Sequence, residues 1–441
     1  MKKSLSIFAL LLLLVLAFDV VSCKKNDAQK VPPEKLCYDI QKIQLDMEYS
    51  ALKDLYDPEP FEQLKADVMA GKIDRKECIY RLKEIFCSYH VVHLRLAVAQ
   101  DNHDFSSGIF PFVLMCFGDD YHIITAAKKY EKYLGSKVLE IGGVPIEESL
   151  KRLSKYIPYE TPSGLKHSFE RGLTYDTMEH VGLTEKNGKI KVKLQKQNGA
   201  VETYSCKPVV ASKTKFSALP LKKENPMLTV QDRSVNYGIK ASKEKGTVYV
   251  HFNRVIGNPD YLVTVFFNDL LTELGSDSYD TVVFDLRYNG GGMGDFEILL
   301  SHLLYDNKAE FEKYNLALIT TGRTASAACW FTNDFLRIFP KTVIFGEETG
   351  EAIFNYTDIP LTNALKNLQC DFAFPHQIDD HVDELYKRAA KVTHSDIHRG
   401  TMPDVEVHEK FEDFVNGEDT IYNAIYDYYC GLPRRPAGFS Q

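Results

Sequence analysis

From Gly246 onward, short apolar runs alternate with amphipathic ones, and no other feature restricts the possible folds so strongly. Residues 248–252, 281–286, 316–319 and 343–345 read as strands. Residues 260–274 and 296–304 read as helices, with apolar side chains recurring at three- and four-residue spacing. The run 281–286 is mostly apolar and lacks the alternation of a strand with one wet face, so it belongs inside a sheet covered on both sides. The class is therefore α/β, with a buried sheet. At its centre lies 315–335: an apolar run, a break at Thr320-Thr321-Gly322-Arg323, then an Ala-rich segment of helical character. Ser326 falls where that helix begins. A serine at a strand-to-helix turn can present its hydroxyl beside the first unbonded N–H groups of the helix, as acyl-transfer chemistry requires. It can also simply cap the helix.

The chain upstream has a different texture. Residues 24–33 are polar and read as a tether; 34–89 read as helical, broken by Pro58 and Pro60. Strands begin near His93, continue at 109–116 and 121–125, and close in a hairpin of 189–194 with 201–206. This organisation divides the chain into 24–92 (helical), 93–230 (β-rich) and 231–432 (α/β). Within the β-rich region, 134–153 gives a strand at 137–141, a Gly142-Gly143 turn and a helix opened by Pro145. The stretch resembles PDZ-like modules of secreted proteases, and the resemblance implies capture of peptide ends by strand addition. An ordinary strand–turn–helix is the plainer reading.

The net charge of −8 carries no basic cluster beyond the N-terminus, which argues against nucleic acid as a partner. Lys2 and Lys3 precede a one-sided apolar segment at 5–17, too short for a confident membrane span. Val20-Val21-Ser22-Cys23 follows and resembles a bacterial lipobox. That resemblance implies a signal peptide over 1–23, lipid modification of Cys23, and a body tethered to a membrane of the cell envelope while standing in water. Eight further cysteines follow with no CxxC and no zinc spacing; a staple from Cys37 to Cys78 or Cys87 and a set of buried free thiols both remain open.

After the buried strand comes Asp285-Leu286-Arg287-Tyr288-Asn289-Gly290-Gly291-Gly292. Three glycines at a strand end let backbone N–H groups face a ligand without obstruction. The loop lacks the Lys-Ser/Thr of a P-loop, so an oxyanion is the better guest than a nucleotide phosphate. Asp285 and Arg287 read as a pair that holds the loop. Thr324-Ala325-Ser326-Ala327-Ala328, Gly346-Glu347-Glu348-Thr349-Gly350 and Gly400-Thr401-Met402-Pro403-Asp404 then follow in order. Together these four stretches resemble the C-terminal processing (tail-specific) serine peptidase family, which includes the tricorn core protease, over roughly residues 240–410. The resemblance implies a ClpP/crotonase-like α/β catalytic core with a helical N-terminal domain and a PDZ-like middle domain. It implies Ser326 as nucleophile, with an oxyanion hole formed by the N–H of Ala327 and that of Gly291 or Gly292.

A nucleophilic serine needs a base. The family's processing branch takes a lysine from the residues just after G-E-x-T-G, where this chain has Glu351 and Ala352. The tricorn-like branch takes a histidine from the end of the helical region, which here offers His93, followed two positions on by Arg95, with His90 as the alternative. A neutral imidazole suits a base near pH 7. The same branch places an acid near G-x-x-P-D, and Asp396 stands there, with Glu347 and Glu348 as alternatives. His394 and His398 have no accompanying ligand set, so neither a metal nor a cofactor is expected. The expected function is a lipid-anchored envelope serine endopeptidase acting on protein or peptide through an acyl-enzyme. The rivals are an inactive peptidase-like envelope lipoprotein that binds peptides, and an esterase or amidase acting on a non-peptide acyl group.

Overall fold

The computed structural model describes residues 31–222, 235–276, 278–353, 361–376 and 399–430. Cys23, Asp396, His394 and His398 lie outside them. The chain divides into two compact units: Met1–Tyr159 with Ser168–Leu219 and Tyr356–Asp379, and Glu160–His167 with Pro220–Asn355 and Asp380–Gln441. The helical and β-rich regions, read above as separate domains, thus share the first unit.

In the first unit, helices Pro33–Glu48, Glu59–Met69 and Arg75–Cys87 pack through Ile40, Ile43, Phe61, Leu64, Leu82 and Phe86. Their core also takes in Leu368, Cys370 and Phe372 from a hairpin, Leu361–Leu365 with Cys370–Phe374, whose second strand pairs with Arg95–Val98. The first strand expected near His93 starts at Arg95; the preceding residues are turns, with the Leu94 N–H donating to the Val91 carbonyl. The β-rich sheet is antiparallel and includes Asp120–Ala127, Lys137–Ile141, Ile190–Gln195 and Val201–Cys206. The Gly142-Gly143 turn forms, but Pro145 closes a two-residue strand, Val144–Pro145, and only flanks the helix Ile146–Ser154. Its extended ψ of 149° keeps it out of the helix.

All eight cysteines after residue 31 are free thiols, so no staple joins Cys37 to Cys78 or Cys87. Burial pushes the thiols of Cys78, Cys87, Cys206 and Cys370 up to about 12, which leaves them protonated and unreactive at neutral pH.

The second unit is built on six strands in sequence order: β1 Tyr237–Ser242, β2 Thr247–Phe252, β3 Thr281–Asp285, β4 Asn315–Thr320, β5 Val343–Gly346 and β6 Val405–Glu406. β1 is antiparallel to β2, and every later pair is parallel. A sheet that grows in one direction through right-handed crossovers must lay its connecting helices on one face. Accordingly α1 Val263–Leu274, α2 Gly294–Asp306 and α3 Ala327–Ile338 share one core with Val250, Phe252, Val282, Phe284, Leu316 and Leu318. The other face packs on α4 Thr420–Tyr429, through Tyr249, Val283, Ile319, Phe345, Ile421 and Ile425. Helix α1 begins at Val263, three residues later than its periodicity suggests, because Asn258 accepts the Asp260 N–H and turns the chain there. Among the described residues no helix is long and apolar enough to cross a membrane.

Candidate active site

In a parallel sheet the loops leaving the carboxyl ends of the strands converge, and ligands bind there. Here these are the glycine loop after β3, the serine turn after β4 and the Gly346–Gly350 loop after β5. Their mutual hydrogen bonds build the site. Thr321 Oγ1 donates to the Arg287 carbonyl at 2.6 Å, and Thr324 Oγ1 to the Leu286 carbonyl at 2.9 Å. The Ala325 N–H donates to the Asn289 carbonyl at 3.0 Å, while Asn289 Nδ2 anchors on the Phe252 carbonyl at 2.8 Å. From the third loop, the Gly350 N–H reaches the Thr324 carbonyl at 2.8 Å.

These bonds fix Ser326 at the N-terminus of α3 with φ 55° and ψ −133°, a conformation costly for any residue other than glycine. In a helix-capping serine the hydroxyl accepts an N–H of the first turn. The Ser326 side chain makes no such bond and is half-buried, so the plain capping reading fails on geometry. What holds the strained residue is its own amide: the Ser326 N–H donates to the buried carboxylate of Glu351, 2.7 Å from Oε2. Glu351 occupies the stretch where the processing branch keeps its lysine, and here it works on the backbone of the turn.

Two backbone N–H groups are the candidate oxyanion donors. Ala327 is the first residue of α3, where an N–H has no partner within the helix. Of the two glycine candidates, Gly291 already donates its N–H to Asn289 Oδ1 at 3.0 Å, which leaves Gly292. Gly291 has another role. Its φ is +93°, and a Cβ built there would stand 2.6 Å from Ser326 Cβ and 3.0 Å from Ala327 N. Glycine at this position lets the loop lie directly against the serine.

Asp285 and Arg287 hold the loop, as their pairing suggests. Arg287 Nε donates to Asp285 Oδ2 at 2.8 Å, and its two terminal nitrogens fork onto Asp419 at 2.9 and 2.7 Å. Asp419 in turn accepts the Ile421 and Tyr422 N–H groups at the start of α4. All three charged groups are buried.

The alternative acids are engaged elsewhere. Glu348 Oε1 accepts the Gly400 N–H at 3.0 Å and pairs with Arg399 at 2.8 Å. Glu347 lies between two imidazoles: His167 Nε2 is 2.5 Å from Oε2, and His408 Nδ1 is 2.8 Å from Oε1. Burial pushes the Glu347 carboxyl up, but the bonds to His167 and His408, with the charges of His167 and Arg323, outweigh it and hold it well below the usual carboxylate range. His408 is raised by its bond to Glu347, against partial burial and Lys166, with Glu406 adding to the rise. The depressed Glu347 contributes stability above its ordinary 4.5, lost as pH falls from there. The raised His408 contributes below its ordinary 6.5, lost as pH climbs through its folded value. The clamp is therefore strongest between those two values. The melting-temperature deficit of His408→Ala against wild type should be largest near about pH 6 and should shrink as the pH climbs through the folded value of His408. A deficit that grows with pH would contradict the pairing.

His93 lies half-buried in the turn before the strand Arg95–Val98, and His90, at φ 52°, sets its ring edge-on against Tyr159 at 4.7 Å. Both belong to the first unit, whereas Ser326 belongs to the second. Sequence reasoning missed the role of Glu351, which the signal for a missing lysine had already marked.

Compared by sequence, the chain matches no protein-family profile and no curated protein. Compared by structure, it is similar to a complex of mature CPAF with lactacystin, at TM-score 0.62 and 9% identity over 90% of this chain and 97% of that one. It is also similar to mature CPAF on its own, at TM-score 0.57 and 10% identity over 90% and 96%. Over nine-tenths of its length, this chain has the fold of mature CPAF.

Proposed function

We propose that the chain is a serine peptidase of the tail-specific family, tethered to the cell envelope through Cys23. The observation that carries the reading is Ser326 itself. It has a strained backbone, a hydroxyl spared from capping, the first amide of the helix next to it and the glycine loop lying directly against it. Ser326 Oγ attacks the substrate carbonyl carbon and gives its proton to His93, with His90 as the alternative base. The carbonyl oxygen becomes an oxyanion held by the N–H groups of Ala327 and Gly292. The tetrahedral species collapses, the imidazolium returns the proton to the leaving amine, and water then hydrolyses the acyl-enzyme by the same route in reverse. Asp396 is the proposed orienting acid. The ordered motifs and the CPAF fold support peptide bonds as substrate, and the lipobox supports the envelope location.

The test is labelling of the full chain with a fluorophosphonate at neutral pH, alongside hydrolysis of an unstructured polypeptide. Wild type should label and cleave, Ser326→Ala should do neither, and His93→Ala should lose about 10²–10⁴-fold, the range for removing a general base. Labelled protein should partition with detergent, and Cys23→Ala with water. Wild type that stays unlabelled sinks the enzyme reading; loss with His90→Ala but not His93→Ala moves the base to His90.

A further inference from the structure

The residues Glu160–His167 belong to the unit that carries Ser326, although the chain on either side of them belongs to the other unit. They form a short strap, ending in the helix Pro162–Ser168, and nothing in the sequence marked them. Their contacts fall on the two loops that flank the serine. Thr161 Oγ1 donates to the Thr349 carbonyl at 2.8 Å and accepts the Gly164 N–H at 2.9 Å. Glu160 Oε2 accepts the Ala352 N–H at 2.9 Å. Those two anchors bracket Glu351, the residue whose carboxylate holds the Ser326 N–H. His167 adds its bond to Glu347 in the same loop.

The seating is tight. A Cβ on Gly164 would collide with the Gly350 carbonyl, and one on Gly322 would collide with the Ser163 carbonyl and stand 2.6 Å from His167 Cδ2. The glycine in Thr321-Gly322-Arg323 and the last glycine of Gly346–Gly350 are thus parts of one close stack of backbone. Gly322 leaves room for the strap backbone at Ser163, and Gly350, against which Gly164 of the strap lies, leaves room for the Gly322 carbonyl. Glu160 and Thr161 are themselves buried, at 3% and 0% exposure, so their bonds form away from competing water.

We infer that Glu160 and Thr161 are positioning residues for the nucleophile: they fix the backbone on both sides of Glu351, and Glu351 fixes the strained amide of Ser326. This rests on the peptidase reading for its consequence in turnover, but the positioning itself is independent of it. Removing the Glu160 acceptor frees the Ala352 N–H, lets Glu351 withdraw, and lets Ser326 relax from φ 55° towards ordinary geometry. The hydroxyl then leaves the line of the oxyanion donors. Glutamine at 160 keeps an acceptor oxygen and should rescue, which a loss of charge would not allow.

The experiment uses the full chain as wild type, Glu160→Ala, Glu160→Gln, Thr161→Val and Thr161→Ser. Two quantities are read: amide exchange in the peptide spanning Ser326, and the fluorophosphonate rate with the kcat and KM of peptide hydrolysis. Glu160→Ala and Thr161→Val should raise exchange around Ser326 about tenfold or more. They should lower labelling and kcat about 10–100-fold, the scale of a small misplacement, with KM within about twofold. Glu160→Gln and Thr161→Ser should stay near wild type. Should Glu160→Ala fail to fold, Thr161→Val against Thr161→Ser carries the same contrast. Folded alanine or valine variants with wild-type exchange at Ser326 overturn the inference. Wild type that shows the exchange contrast but never labels overturns only the peptidase reading.

Discussion

Arg287→Met is expected to cost about 3–5 kcal/mol of folding stability, the penalty for removing one member of a buried ion cluster. The arginine is 1% exposed and its fork satisfies two carboxylates, Asp285 and Asp419, at 1% and 2%. Tyr249 also donates its hydroxyl to Asp285. Without the guanidinium, two negative charges face each other in a low dielectric with too few donors. The damage spreads because each partner has a second duty: Asp419 caps α4, and the Arg287 carbonyl receives Thr321 of the serine turn. Arg287→Lys should rescue little, since one ammonium cannot reproduce the planar fork. Adding Asp419→Asn to Arg287→Met should recover part of the loss by removing one stranded charge. Urea unfolding of the four proteins decides the matter. An Arg287→Met variant within about 1 kcal/mol of wild type would mean that the cluster is not what ties the glycine loop to α4.

The central sheet was legible in the sequence because parallel strands buried on both faces read as unbroken apolar runs, and 281–286 and 316–319 are such runs. The serine turn was legible because a strand, a break with glycine and an Ala-rich helix follow in order. What escaped has a physical reason in each case. β1, Tyr-Gly-Ile-Lys-Ala-Ser, is an edge strand of mixed burial with a glycine inside it, so neither run nor alternation appears. The hairpin 361–374 lies inside the stretch read as catalytic, yet packs with the N-terminal helices, through contacts such as Asp39 with the Leu368 N–H that span more than 300 residues. Asp419 is 132 residues from Arg287, and Thr161 is 188 from Thr349. Local patterning carries periodicity and turn chemistry, and pairings at such separations leave no trace in it. That is also why the serine could be found from its neighbours and the strap behind it could not.

The three glycines of the loop provide the sharpest division between fold and chemistry. Gly291→Ala should keep the fold and lower labelling of Ser326 about 10²–10³-fold, as losing an oxyanion donor does. The added methyl would lie 2.6 Å from Ser326 Cβ, 2.8 Å from the Ala325 carbonyl oxygen and 3.0 Å from Ala327 N. It would therefore fill the space in front of the helix amide that the oxyanion needs, and do so at φ +93°, where a side chain is strained. Its immediate neighbour supplies the control. Gly290 is exposed, has no positive φ, and a Cβ there meets nothing within 4 Å, so Gly290→Ala should label and melt like wild type. Two identical substitutions at adjacent positions then differ in whether the methyl meets the serine and in the backbone strain that comes with it. Equal labelling by the two variants would place the oxyanion elsewhere and detach the glycine loop from the chemistry of Ser326.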